Sequence, residues 1–380
     1  MRIGFDLRLP AYQMGGISQY ALYLLPALAR LDGDNEYLIF HHRRDGRTHL
    51  PANAPNFQRR TVWTPCHHRL EKWALAAELR PHRLDLLHSP DFIPPLAGAR
   101  RFVITVHDLN FLYYPQFLTP DSRRYYAGQI GWAVKKASLI AADSEHTRQD
   151  LISRLNVPPE RVRTIPLAAN PLYQEELPAT AVADTLTDLN LPRDFILFVG
   201  TLEPRKNLPM LLRAYHAARQ ALGLDLPLVL VGRPGWLYEE VFATIAQLAL
   251  TGSVIHLTAV TDRQLAALYR AAAVLVQPSH YEGFGLPPLE AMHSGCPVIA
   301  SHRASLPEVV GSGGLLLDPD DQDSWSEAIL RVVNDSELRS EMVAAGRAQA
   351  ARFSWPKTAA MTLALYREAL QDGRRLTVNS

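Results

Sequence analysis

Apolar positions along the chain follow two patterns in alternation. Short runs rich in Val, Ile, Leu and Phe are followed by longer segments whose apolar residues recur at helical spacing. Continuous apolar runs of strand length, separated by amphipathic helices, are the mark of parallel sheets covered on both faces. The series occurs twice. The first predicts strands near 2–6, 37–41, 60–63, 84–88, 102–107 and 139–142, with helices such as 17–31 and 121–137 between them. The second predicts strands near 195–200, 228–232, 254–257, 274–277, 297–300 and 315–317.

Between the two series, 171–193 carries several prolines and no clean period, so it reads as a linker. Helical stretches follow the second series at 324–334, 337–351 and 357–370, and Pro356 should break or bend the path into the last of them. The expectation is an α/β protein with two Rossmann-like parallel-sheet domains facing across a cleft. They would be an N-terminal domain over 1–170 and a C-terminal one over 194–355, with chemistry at the carboxyl ends of the strands.

Composition adds limits. A chain of 380 residues, 47% hydrophobic and 20% charged, is ordinary globular material and too long for one core. Met1-Arg2 leads straight into a strand-like run, so no signal peptide is expected, and no apolar run reaches membrane-spanning length. Cys66 and Cys296 lie far apart, which argues against a disulfide framework or thiolate metal site and fits the cytoplasm.

The net charge of +1 hides an asymmetry. Residues 1–180 carry 22 Lys and Arg against 17 Asp and Glu, and the remainder 17 against 21. The basic pieces at 41–47, 59–60 and 100–101 are either solvated surface or a contact for anionic lipid or a phosphorylated substrate. Zinc-finger spacing, leucine-zipper heptads and aromatic-rich RNA-binding strands are all missing, so nucleic acid is not an expected partner.

Candidate chemistry falls at predicted strand ends. "DLRLPAYQMGGISQY" sets Gly15 and Gly16 ahead of a helix, where backbone N–H groups can approach a phosphate, although a tight turn explains the pair equally well. His107 closes the strand "RFVITVHD", where it can serve a polar ligand or merely precede a capping Asp108. In "VGTLEPRKNL", Arg205 and Lys206 stand before a helix that Asn207 is placed to cap. Two cations at a helix N-terminus oppose its dipole, and an anion such as a diphosphate reverses that sign. "YEGFGLPPLEAM" follows another strand and carries Glu282, the Gly283-Phe284-Gly285 turn and, one turn into the next helix, Glu290. An ionised carboxylate suits paired hydroxyl donors such as those of a ribose or sugar. The alternative makes both glutamates helix-dipole or surface acids.

Taken together, "PSHYEGFGLPPLEAMHSGCPVIAS", "ASLPEVVGSGGLLLDPDD", "VGTLEPRKN", "GGISQY" and "FSWPKTAAMTLALYREAL" resemble the retaining glycosyltransferases of family 4, with their GT-B fold. The likeness is tightest over 195–320. It implies an N-terminal acceptor-binding domain, a nucleotide-sugar-binding C-terminal domain and a last helix, about 356–380, returning to the first domain. It also implies Glu290 on the ribose, Glu282 beside the donor sugar, Arg205 and Lys206 on the diphosphate, and Gly15-Gly16 and His107 near the donor. Thr201 and Asn207 depart from the common pattern and leave the division of labour between the two cations open.

The wording around these motifs resembles bacterial mannosyltransferases. The implied reaction moves mannose from GDP-mannose, without metal or other cofactor, to a growing glycan or lipid-linked acceptor, with peripheral membrane contact through the N-terminal domain. UDP-hexose transfer and nucleotide-sugar epimerisation are the alternatives. A nicotinamide dehydrogenase would need the G-x-G-x-x-G fingerprint, which neither half carries.

Overall fold

The computed structural model describes residues 1–12, 15–117 and 120–376. Its backbone divides into two compact units. Unit 1 comprises Met1–Leu109, Pro120–Leu167 and Ser354–Ser380; unit 2 comprises Asn110–Thr119 and Ala168–Phe353.

Unit 1 is built on seven parallel strands: β1 (Arg2–Asp6), β2 (Glu36–His42), β3 (Phe57–Val62), β4 (Leu84–Ser89), β5 (Ala99–Val106), β6 (Leu139–Ala142) and β7 (Val162–Thr164). Their order is β3-β2-β1-β4-β5-β6-β7. The inner strands are buried almost throughout, because helices cover both faces. On one side Leu75 and Leu79 of the helix Glu71–Leu79 pack with Phe40, Leu87 and Phe102. The edge strand β3 is instead buried only at its ends, Phe57 and Val62, with Gln58, Arg59 and Arg60 partly exposed and Thr61 exposed. Sequence reasoning missed β7, whose three residues give no readable period.

The helix Trp355–Leu376 belongs to unit 1 and packs against the helix Gly16–Leu31 and the sheet. Tyr366 and His88 share a 2.6 Å hydrogen bond, the Thr358 hydroxyl donates to the Pro166 carbonyl at 2.7 Å, and Arg163 pairs with Glu368. Pro356 does not bend this helix. It sits in the first turn, where a missing N–H costs nothing, and the break falls before it.

Unit 2 has six parallel strands: β8 (Ile196–Val199), β9 (Leu228–Val231), β10 (Val254–Leu257), β11 (Val274–Gln277), β12 (Val298–Ser301) and β13 (Leu315–Leu317), ordered β10-β9-β8-β11-β12-β13. Phe198, Leu211, Tyr215 and Trp325 anchor its core. The expected linker at 171–193 is corrected. It holds a short turn, Pro171–Gln174, and a helix, Ala179–Asp188, packed on the helix Asp262–Ala271 of unit 2. Tyr173 meets Tyr269 edge to face at 5.5 Å.

In each sheet the strand order reverses once, between β1 and β4 and between β8 and β11. Connections leaving those two strands diverge to opposite faces, so a crevice opens at their carboxyl ends.

Candidate functional site

In unit 2 the loops leaving β8 and β11 meet at the reversal. The β8 loop can turn tightly because Gly232 follows β9 directly, where a Cβ would lie 1.9 Å from the Gly200 carbonyl oxygen. It then forms a one-turn helix, Pro204–Lys206, ahead of the helix Leu208–Leu222. Asn207 does not cap that helix with its side chain. Its backbone is left-handed, with φ of 56°, and its amide donates to the Pro319 carbonyl at 2.6 Å. The β11 loop turns at Gly285, whose φ of 113° favours glycine, into the helix Leu286–His293. A backbone hydrogen bond of 2.8 Å from His280 to Arg205 ties the two loops together.

This places Glu282 on the two cations. Its Oε1 accepts from Lys206 Nζ at 2.6 Å, from the Ser279 hydroxyl at 2.7 Å and from the Gln277 amide at 3.0 Å, while Oε2 accepts from Arg205 at 2.8 Å. Burial alone would raise the pKa of this carboxyl, but Lys206 and Arg205 outweigh it and hold it at about 2. Arg205 also pairs with Glu203 at 2.6 Å and donates to the Tyr281 carbonyl at 3.0 Å.

The anion that two cations before a helix call for is therefore supplied in part by the protein. Glu203 and Glu282 balance Arg205 and Lys206. Lys206 has three N–H donors, and among the described residues Glu282 is its one side-chain acceptor. Burial, and then Arg205, lower its pKa from the ordinary lysine range.

Glu290 lies apart from this cluster in its bonding. It is buried in the helix Leu286–His293 and accepts from the Tyr269 hydroxyl at 3.0 Å. Burial lifts its pKa to about 7 against the opposing hydrogen bond. The Gly283-Phe284-Gly285 turn is held from beneath by the Ser305 hydroxyl, 2.9 Å from the Glu282 carbonyl oxygen and 2.7 Å from that of Phe284. The Phe284 ring packs edge to face on Phe353 at 5.7 Å, so the side chain belongs to the core and only the backbone of this turn is available to a ligand.

Gly15, Gly16 and His107 lie in unit 1. Gly15 is the extended N-cap of the helix Gly16–Leu31, and a Cβ at Gly16 would meet nothing within 4 Å, so packing does not demand glycine there. His107 is fully engaged inside unit 1. Nδ1 lies 2.6 Å from Asp143 and Nε2 donates to the Pro90 carbonyl at 2.8 Å. Burial would lower its pKa, but the Asp143 carboxylate raises it to about 9. The ring is an imidazolium with both N–H groups spent, which does not suit a general base. Sequence reasoning missed Glu203, Ser279, Tyr269 and Asp143, which hold the candidate residues in place.

Unit 1 has its own narrow crevice at the β1/β4 reversal, with a volume of only about 20 Å³. Its lining includes Asp6, Arg8, His67, Glu71, Ser89 and Asp91. Arg8 is buried between Asp6 and Glu71, and the buried Ser89 hydroxyl has no hydrogen-bond partner among the described residues. Among the described residues, no group of three or more His, Cys, Asp or Glu side chains is arranged to hold a metal ion.

Comparison with known proteins bears on both halves. Residues 14–171 match the model of Glycosyltransferase Family 4, and residues 187–349 match that of Glycosyl transferases group 1. The O-antigen chain mannosyltransferase B of Escherichia coli is 33% identical over 97% of this chain and 100% of its own length. The chain belongs to glycosyltransferase family 4. Sucrose-phosphate synthase from Thermosynechococcus elongatus shares the fold at a TM-score of 0.76 and 23% identity, covering 98% of this chain and 99% of that one. Anabaena HepE in complex with UDP and glucose does so at 0.73 and 19%, covering 97% and 100%. The two parallel sheets are thus the GT-B architecture of a family 4 enzyme that transfers a sugar.

Proposed function

We propose that this glycosyltransferase moves mannose from GDP-mannose to a hydroxyl of a growing glycan or glycolipid, with retention of configuration and without a metal ion. The observation that carries the sugar is the full-length similarity to an O-antigen chain mannosyltransferase. The chemistry rests on the cluster at the β8/β11 reversal.

In such a transfer the bond between anomeric carbon and diphosphate breaks as an oxocarbenium-like sugar forms. Fixed cations beside the departing diphosphate stabilise that charge separation without reorganising. Lys206, with N–H donors to spare, is the group for the leaving phosphate. Arg205, braced between Glu203 and Glu282, supplies a second charge of fixed orientation. Glu282 acts in this reading as a positioning residue, holding both cations. It was expected beside the donor sugar, yet four donors and a pKa near 2 make it a poor nucleophile. That favours a same-face attack in which the leaving diphosphate takes the acceptor's proton. The unit 1 crevice, with its acids and the unpartnered Ser89 hydroxyl, is our assignment for acceptor hydroxyls.

Glu290 is assigned to the ribose hydroxyls. Ribose donors bind the ionised carboxylate, and the buried carboxyl has a pKa of about 7, so nucleotide affinity should rise as pH rises through 7. Glu290→Ala should weaken GDP binding by about 1.5–3 kcal/mol and Glu290→Gln should flatten the pH profile, both read by titration calorimetry. Unchanged affinity in both variants rejects the assignment.

The test of the whole reading is donor-dependent stabilisation and transfer. GDP-mannose should raise Tm and label a lipid-linked glycan acceptor, with turnover undiminished by EDTA. Stabilisation by UDP-sugars instead overturns the donor, and loss of turnover in EDTA overturns the metal-free mechanism.

A further inference from the structure

The connection that leaves β5 is longer than a parallel sheet needs. It runs from His107 to Thr119 before the helix Pro120–Lys136 begins, where roughly 2–6 residues usually suffice. Within it Asn110–Thr119 belong to unit 2, although unit 1 flanks them in the chain on both sides. A short helix, Asn110–Tyr113, and a one-turn helix, Pro115–Phe117, shape this excursion, and the buried Phe111 anchors it. Tyr113 and Tyr114 are only partly buried, so filling the core is not their main task.

Both rings stand against Tyr281, the buried residue just before Glu282. The Tyr113 ring lies 5.3 Å from that of Tyr281, tilted by 33°, and the Tyr114 ring meets it edge-on at 6.2 Å and 68°. These are the separations of attractive aromatic pairs. Burial raises the Tyr114 pKa, with Arg303 opposing and Asp320 adding to it, so this side chain also faces the charged loops after β12 and β13.

Tyr281 matters because its backbone sets Arg205. Two of the acceptors of that guanidinium, Glu203 and Glu282, are carboxylates on side chains that can turn. The Tyr281 carbonyl, at 3.0 Å, cannot turn without moving its loop. In return the Arg205 carbonyl accepts from the His280 N–H at 2.8 Å. Both ends of Arg205 are thus referred to residues 280–281. Those residues lie in neither strand nor helix, so pinning them falls to side-chain packing.

We propose that Tyr113 and Tyr114 are positioning residues for the transfer: they clamp Tyr281, whose carbonyl holds the Arg205 guanidinium in the orientation that meets the departing diphosphate. This rests on the assignment of Arg205 to the diphosphate and adds the support that aims it. Because the excursion starts and ends in unit 1, the aim of a donor-side cation depends on chain that the first sheet supplies.

The experiment is steady-state kinetics of a mutant cycle in the full chain, with the nucleotide sugar that raises Tm as donor. Tyr113→Leu/Tyr114→Leu removes both rings and keeps apolar bulk. It should lower kcat about tenfold and leave donor KM within about twofold, because a misaimed guanidinium counts most as the diphosphate leaves. Tm should fall by no more than a few degrees, and if it falls further the two single leucine variants carry the same test. Tyr113→Phe/Tyr114→Phe keeps the ring contacts and should recover most of the lost rate. Arg205→Lys replaces the fork that the Tyr281 carbonyl orients with a point charge, so in that background the leucine pair should cost less than about twofold more. The positioning role is overturned if the leucine pair turns over like wild type, if its loss adds in full to that of Arg205→Lys, or if the phenylalanine pair is as slow as the leucine pair. Failure of the underlying site reading looks different: Arg205→Ala would keep the wild-type kcat, leaving the tyrosines nothing to aim and overturning both.

Discussion

Lys206→Ala is expected to lower kcat by about a hundredfold or more, the usual consequence of deleting one preorganised charge that faces the developing anion. The fold should survive. Removing Lys206 leaves Glu282 with Arg205, Ser279 and Gln277, so the buried carboxylate keeps three of its four donors. A Tm lowered by a few degrees is the expected structural cost, and KM for the donor should change less than kcat, because the charge counts most when the diphosphate departs. Lys206→Arg tests the same point from the other side. It keeps the charge but needs more room and a flat fork, so partial rescue is expected. Steady-state kinetics with saturating acceptor settle the matter, and a Lys206→Ala rate within a fewfold of wild type would make this lysine a purely structural partner of Glu282.

The residues of that cluster differ in how far the sequence reveals them. The sheets were legible because fully buried parallel strands read as continuous apolar runs: β8 (Ile196–Val199) and β11 (Val274–Gln277) could hardly be anything else. β7 was not, since three residues at a sheet edge, two of them polar, carry no period. The helix Ala179–Asp188 hid among prolines and threonines. Pro178 is its N-cap residue rather than a linker signal, and β-branched residues lower its intrinsic helical preference. Residue types at the site were readable from the strand ends. Their pairing was not, because the Glu282 contacts with Arg205 and Lys206 span 77 and 76 positions and depend on which strands adjoin. His107 shows the same limit. A strand-end histidine looks available for ligand until Asp143, 36 positions away, is seen to take one nitrogen and the Pro90 carbonyl the other.

Replacing Glu282 by glutamine separates two roles that a carboxylate could have here, nucleophile and positioner of charge. Glutamine keeps the shape but leaves Arg205 and Lys206 to repel each other in a buried site, where breaking an ion pair costs about 3–5 kcal/mol. The sign of the pH effect follows from the carboxyl being held at about 2, below its ordinary value of 4.5. The stabilisation it provides is complete above 4.5 and is lost as pH falls through 2. The stability gap between wild type and Glu282→Gln should therefore be largest at neutral pH and close on acidification, as followed by denaturant unfolding. For catalysis, displaced cations should slow transfer by about ten- to a hundredfold, yet the product should keep its anomeric configuration, because the protein supplies no bond to the sugar in a same-face attack. A double displacement predicts otherwise. It requires a glycosyl ester on a carboxylate, as in retaining glycosidases, and a glutamine there would abolish turnover. A slow fluorinated donor followed by intact-protein mass spectrometry and peptide mapping distinguishes the two, and a sugar found covalently attached to Glu282 would sink the positioning role.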